Sequence, residues 1–271
     1  YPNAESVFLA RERAGDKKTV VVIDHYVPFY DKDAGSRSTW LYLQAMVEQG
    51  LNVKFLPANF FPHEPYTSEL QQLGVEVLVG ESYARHWKQW FSDNQQHIDV
   101  IYLHRPHITE DFIDFLSSLK NRPKLIYFGH DLHYLRIGRQ AQLNHDKKVE
   151  KEASEWKDRE FEIFQKVDKV FYPSQTEVDE IKAEMPDIDV SAIPLYLINK
   201  PAPGQYQHEH RDDLLFVGGF AHPPNIDAVR WFVKQVLPKV LEQIPTLRFH
   251  IVGSKVPESI KELESDNVLV H

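Results

Sequence analysis

Thr19-Val20-Val21-Val22-Ile23-Asp24 is the stretch on which the fold turns. Five β-branched residues in succession show no polar–apolar alternation, so a strand here must bury both faces. An interior strand of a parallel sheet reads this way, and it commits the chain to helices on both sides of the sheet. Working outward, Ser36 can cap a helix running to Gln49. Trp40, Leu43, Met46 and Val47 sit there at helical spacing, and Gly50 supplies the stop.

The alternation then continues. Strands are expected at Val53–Leu56, Val75–Val79, Asp99–Leu103, Lys124–Phe128, Lys169–Tyr172 and Val190–Ile193. Helices are expected at Ser68–Leu73, Ser82–Ser92, Glu110–Leu119, the heavily charged Asp146–Val167, and Gln175–Glu184. Residues 1–18 read as a tail, 19–200 as one doubly wound domain, and the Pro-, Gln- and His-rich 201–212 as a linker. The pattern restarts at Asp213-Leu214-Leu215-Phe216-Val217, followed by a long helix with Ile226, Val229, Val233, Val236, Val240 and Ile244 on one stripe. Pro238 inside that helix predicts a kink. A strand follows over Leu247–Val252, a helix over Pro257–Glu264 and a strand over Asn267–Val270. The class is therefore α/β, with two Rossmann-like parallel-sheet domains facing each other, 213–271 being the first part of the second. A parallel strand without a covering helix at the end of the sequence leads us to expect a piece of a longer protein, with further domains upstream or downstream.

Composition narrows the function. A net charge of −9 over 271 residues argues against a phosphate-neutralising nucleic-acid binder. No apolar run approaches the roughly 18 residues of a membrane span, and no signal peptide opens the chain, which suits a cytoplasmic protein. Cysteine is absent, which removes disulfides, thiol nucleophiles and thiolate zinc sites.

Ligands of open parallel sheets sit beyond the carboxyl ends of the strands, and four loops there carry chemistry. Eleven residues separate Ile23 from Gly35, so the first loop is no dinucleotide turn; neither G-x-G-x-x-G nor a P-loop occurs. What it offers is Gly35-Ser36-Arg37 opening a helix, a turn suited to an anionic or hydroxylated ligand and equally to a plain helix cap. The second loop is His104-Arg105-Pro106-His107. The third runs from Gly129 to Arg136, with His130 before Asp131 and placed to hydrogen-bond a substrate hydroxyl or to be a structural histidine. The fourth is Gly218-Gly219-Phe220 with Asn225, where backbone and a helix N-terminus could approach a diphosphate. The pairs His104/His107 and His130/His133, with Asp24, Asp33 and Asp131, also invite a metal reading, although no H-E-x-x-H frame is present. No G-x-S-x-G elbow supports a serine hydrolase.

Val20–Pro28 followed by Asp33-Ala34-Gly35-Ser36-Arg37, Gly129-His130-Asp131-Leu132-His133-Tyr134-Leu135-Arg136, and Phe216–Phe220 with His222-Pro223-Pro224-Asn225 occur in this order. Together they resemble the retaining GT-B glycosyltransferases of group 1, also called family 4. The resemblance implies transfer of a hexose-type sugar from a nucleotide-sugar to a glycan or lipid-linked acceptor in surface-polysaccharide biosynthesis. It implies retention at the anomeric carbon, no metal and no cofactor beyond the nucleotide-sugar co-substrate, at the inner face of a membrane or free of it. By position His130 and Asp131 become the catalytic pair, Gly35, Ser36 and Arg37 the acceptor and phosphate loop, and Gly218, Gly219, Phe220 and Asn225 the donor contacts. Two departures stand out. Gly219 and Asn225 occupy places where many members carry arginine and lysine, and the acidic E-x7-E region of the family is not present. Residues 1–271 alone are therefore expected to show little or no transfer. The alternatives are a non-catalytic scaffold of the same fold and a metal-dependent hydrolase built on His104, His107, His130 and His133.

Overall fold

A computed structural model describes residues 15–144, 147–198 and 212–271. The expected tail falls outside these residues as far as residue 14, and the expected linker as far as residue 211. The chain divides into two compact units, Tyr1–Ile198 and Asn199–His271.

The first unit is built on β1 (Thr19–Asp24), whose six residues are all buried. Val20 to Ile23 are at most 5% exposed, and each such side chain contributes about 1.5–3 kcal/mol by leaving water. Around β1 lie β2 (Asn52–Pro57), β3 (Glu76–Val77), β4 (Val100–His104), β5 (Lys124–Phe128), β6 (Lys169–Tyr172) and β7 (Val190–Ala192). Their order is β3-β2-β1-β4-β5-β6-β7, every pairing parallel. The chain moves outward from β1 to β3 and then crosses back to β4 on the other side of β1. That reversal makes the carboxyl ends of β1 and β4 the topological switch point, where such sheets open a crevice.

Both faces are covered, as the β-branched run requires. Helix α1 (Ala34–Glu48) and α2 (Tyr66–Leu73) pack Leu43 and Leu70 against Val20, Val22, Phe55 and Phe128. On the other face lie α3 (Glu81–Asn94), α4 (Pro106–Ser117), α5 (His133–Asn144), α6 (Lys147–Lys166) and α7 (Gln175–Glu184). They bring Phe91, Phe112, Tyr134, Phe164 and Ile181 onto Ile23, Ile101 and Tyr127. Local signals fix several ends. Gly50 adopts φ 79° after α1, and Ser174 and Glu177 form a reciprocal capping box on α7.

Four expectations are corrected here. The strand over 75–79 shrinks to two residues, since only Glu76 and Val77 pair with β2. Helix α4 begins at Pro106, well before Glu110: proline is suited to the first helical turn, and His107 is therefore helical. The stretch after β5 is a loop only as far as Leu132, because α5 starts at His133. Helix α1 begins at Ala34 under an Asp33 cap, so Ser36 lies inside it.

The second unit holds β8 (Leu214–Val217), β9 (Phe249–Val252) and β10 (Val268–Val270), parallel in the order β10-β9-β8. Helix α8 (Pro223–Trp231) passes through a π-helical turn, Phe232–Val236, into α9 (Leu237–Leu241); α10 is Glu258–Lys261. The expected kink at Pro238 is realised by that π turn, which resets the helical phase. Leu237 becomes the buried residue at 3% exposure, and Val236, expected on the stripe, is only partly buried.

Candidate functional site

The switch point of the first unit gathers three side chains from three adjacent strands. Asp24 ends β1, His104 ends β4, and His130 follows β5 by two residues. Asp24 is 3% exposed yet well supplied with donors. Its Oδ2 accepts the Thr39 hydroxyl of α1 at 2.7 Å, and its Oδ1 accepts the His25 N–H and Arg105 Nε, each at 2.7 Å. Burial by itself pushes the carboxyl up. The Arg105 guanidinium, the two imidazoles and the Thr39 bond outweigh it and hold Asp24 well below the usual carboxylate range.

His104 is fully buried, with Nδ1 3.1 Å from His130 Nε2 and 3.8 Å from Asp24 Oδ2. Burial brings the His104 imidazole down to about 4. Burial, then His104 and Arg105, bring His130 down to about 3, so both rings are neutral at physiological pH. The His104 Nε2 atom is buried without a hydrogen-bond partner.

Arg105 reaches Asp24 from a strained backbone, φ 59° and ψ 133°, a conformation that costs a non-glycine residue about 1–3 kcal/mol. Its guanidinium lies so close over the start of α1 that a Cβ on Gly35 would stand 2.5 Å from Nη2. Gly35 is thus a cradle for Arg105. Asp33 caps α1: Oδ1 accepts the Ser36 N–H at 2.7 Å, and the Ser36 hydroxyl donates to Oδ2 at 2.6 Å. The capping hydroxyl expected at Ser36 is therefore corrected to a carboxylate at Asp33, which already uses the Ser36 amide. Arg37 is exposed and lies over the Tyr30 ring at 6.0 Å.

Asp131 is not turned to His130. It pairs with Arg136 Nε at 2.5 Å and stands 3.4 Å from His133 Nδ1. The carboxylate that serves the histidine pair comes from Asp24. Gly129 permits the turn between β5 and His130, because a Cβ there would fall 2.2 Å from the Tyr172 ring. The N-terminus of α5 is capped from α6: Glu160, buried, accepts the His133 and Tyr134 N–H groups, each at 3.1 Å. Burial pushes the Glu160 carboxyl up to about 7.

The sequence pairs His104/His107 and His130/His133 do not form as pairs. His104 joins His130 across neighbouring strands, while His107 lies beside His25 and His133, with ring centroids 5.7 and 6.3 Å away. Asp24, His104 and His130 have ligand-capable atoms within 4.8 Å of one another. Arg105 was read from sequence only as a member of the His104–His107 loop, without its role at Asp24, and Thr39 and Glu160 were not singled out. The signal for the first two was their position beside a strand end and inside the first helix; Glu160 lies in a helix read as solvated charge.

In the second unit Gly218 and Gly219 follow β8. Asn225 Nδ2 donates to the Gly219 carbonyl at 2.9 Å, and Phe220 is buried. A Cβ on Gly253 would come 2.0 Å from the Gly218 oxygen, so these two turns approach backbone to backbone. Asn225 thereby shapes its own loop.

Two parallel sheets, the first doubly wound with polar groups at its switch point, define a GT-B type of α/β fold. Solved structures share it. TarM aligns over 96% of this chain and 77% of its own, with TM-score 0.62 and 10% identity. The lipopolysaccharide outer core galactosyltransferase WaaB aligns over 94% and 67%, with TM-score 0.50 and 13% identity. Anabaena Alr3699/HepE, solved in complex with UDP-glucose, aligns over 93% and 68%, with TM-score 0.50 and 13% identity. Residues 211–271 match the family described as glycosyl transferases group 1. The family match is confined to residues 211–271, and the fold likeness extends over most of the chain. No curated protein matches the sequence significantly. No helix among the described residues is long and apolar enough to cross a membrane.

Proposed function

We propose that the chain serves transfer of a sugar from a nucleotide-sugar to a glycan or lipid-linked acceptor in polysaccharide biosynthesis, with retention at the anomeric carbon and without a metal. The observation that carries this reading is the group 1 match over 211–271 on a chain whose fold follows TarM over nearly its full length. HepE was solved with UDP-glucose, which makes a uridine nucleotide-sugar the first donor to test. In this reading the second unit holds the nucleotide at Gly218, Gly219 and Asn225, and the first unit offers His130 to the transferred sugar. The chemical demand is stabilisation of the departing diphosphate, met by fixed donors and not by solvent. The test is release of nucleoside diphosphate from UDP-, GDP- and ADP-sugars by the native polypeptide that carries residues 1–271, with product anomers assigned by NMR. His130→Ala is expected to lower turnover about 100-fold. Unchanged turnover in that variant favours a scaffold role for this unit.

A second reading rests on Asp24, His104 and His130, whose converging atoms could hold a divalent cation for hydrolysis. Against it, the Arg105 guanidinium already neutralises Asp24 at 2.7 Å. Elemental analysis of protein purified without chelator decides: stoichiometric zinc or manganese favours the hydrolase.

A further inference from the structure

We infer that Asp24 and His104 set the tautomer of His130, with Nε2 accepting from His104 and the ring proton on Nδ1, so that His130 meets a ligand as a hydrogen-bond donor and not as a general base. In its last step the inference rests on the transferase reading above; its structural part does not.

The ring nitrogens His104 Nδ1 and His130 Nε2 lie 3.1 Å apart and share one hydrogen. If His130 donated, His104 would turn a bare lone pair at Nδ1 toward the Asp24 carboxylate 3.8 Å away. Its other nitrogen would then carry an N–H in a dry environment without an acceptor. If His104 donates, the hydrogen on Nδ1 faces the negative carboxylate, and only a lone pair is left unpartnered at Nε2. The ionised Asp24 decides between the two, since its attraction for a proton on Nδ1 is little screened in this buried setting. Orphaned buried N–H groups are also the rarer defect. The proton therefore sits on His104 Nδ1, His130 Nε2 accepts it, and the second nitrogen of His130 carries the remaining hydrogen.

His130 Nδ1 makes no hydrogen bond among the described residues, and the ring is partly exposed. With Nε2 occupied as an acceptor and Nδ1 protonated, the ring has no free lone pair with which to take a proton from a substrate. It can donate to a hydroxyl or to a phosphate oxygen. The charged and titratable groups around it are His104, Arg105, Asp24 and Asp131; burial first, and then the Arg105 guanidinium, disfavour a charge on the ring. Asp24 and His104 are positioning residues in this arrangement. Thr39 and Arg105 fix the carboxylate that orients them.

The test is long-range proton–nitrogen NMR on the 271-residue chain with nitrogen-15 in its histidines. Both His104 and His130 are expected to show a protonated Nδ1 and a bare Nε2, unchanged between pH 8 and 5.5. His104→Asn, which keeps an N–H donor near the Nδ1 position, preserves the His130 pattern. His104→Leu removes the donor, and His130 then populates both tautomers and titrates closer to ordinary histidine. A protonated Nε2 on His130 in the unmodified chain overturns the inference. So does an unchanged His130 spectrum in His104→Leu, or stoichiometric metal with loss of the ring-to-ring bond. If His104→Leu does not fold, the spectrum of the unmodified chain decides alone. In the native polypeptide, His104→Leu should lower kcat about 10- to 100-fold with little change in KM, and His104→Asn should restore most of it. The expected tautomers together with full turnover by His130→Ala would leave the arrangement standing and remove the transferase role of His130.

Discussion

Asp24 joins groups that no local pattern connects. Thr39 is fifteen residues away, in the helix that follows β1, while His104 at eighty and Arg105 at eighty-one meet Asp24 only because the chain reverses direction in the sheet between β3 and β4. The sequence marks strand ends where ligands gather, and His130 was legible on that ground. Asp24 and Arg105 as a pair were not, because their contact depends on β1 and β4 being neighbours. Arg105→Ala leaves a buried carboxylate without its cation, so it should destabilise the protein by about 3 kcal/mol in urea unfolding. The loss should be smaller in Arg105→Ala with Asp24→Asn, where the charge is gone. Acid sensitivity follows from the same groups. His104 and His130 take up protons near pH 6.5 when unfolded but only near 4 and 3 when folded, so stability falls as pH drops below 6.5. The slope is about 1.4 kcal/mol per pH unit for each ring while only the unfolded chain is protonated. Glu160 runs the other way: its folded value near 7 lies above the unfolded one, so its contribution is lost as pH rises from about 4.5 through 7. One ring is thus offset, and urea midpoints should still fall between pH 7 and pH 5. Asp24, with a depressed folded value, adds its own loss below about pH 4. A midpoint that rises on acidification contradicts neutral buried imidazoles.

Elements were legible where their signals are local. The β-branched run gave β1, and β5, β6 and α7 begin and end where their patterns do. Helix α5 was missed because its amides are capped across space. The acceptors come from Glu160, about 26 residues further on, in a helix whose charge pattern reads as solvent-facing. Glu160→Ala should therefore cost about 2 kcal/mol, combining a lost cap with buried N–H groups left unpaired. Hydrogen exchange would locate the damage: amides of the first turn of α5 should lose protection while those of β1 and β4 keep theirs. Uniform loss across the sheet would show instead that Glu160 supports the core as a whole. The helix after β8 teaches a related lesson. Proline foretells a break in the hydrogen-bond ladder but not how the ladder is mended. The π turn adds a residue, which carries the inward position from Val236 to Leu237.

The two units differ in how far their sheets are covered, and that difference sets how each should respond to stress. In the first, Val21, Ile23, Phe55, Ile101, Leu103 and Tyr127 are fully buried between helices on both faces. In the second, Phe249, Ile251 and Val268 face a small core, while their strand neighbours Leu215 and Val217 are 66% and 70% exposed. A parallel sheet draws its stability from burial of both faces, and a unit of this size with one face open is marginal. Limited proteolysis should therefore cut within 212–271 first and leave a resistant fragment spanning the strands from β1 to β7. Calorimetry should resolve a weaker transition below the main one. Leu215→Thr with Val217→Thr keeps the β-branched or strand-compatible shape while removing apolar surface. That double variant should change stability by no more than about 0.5 kcal/mol, as substitutions at open positions do. A loss of about 2 kcal/mol or more would mean that this face is packed against something in solution, and the order of cleavage would then be expected to reverse.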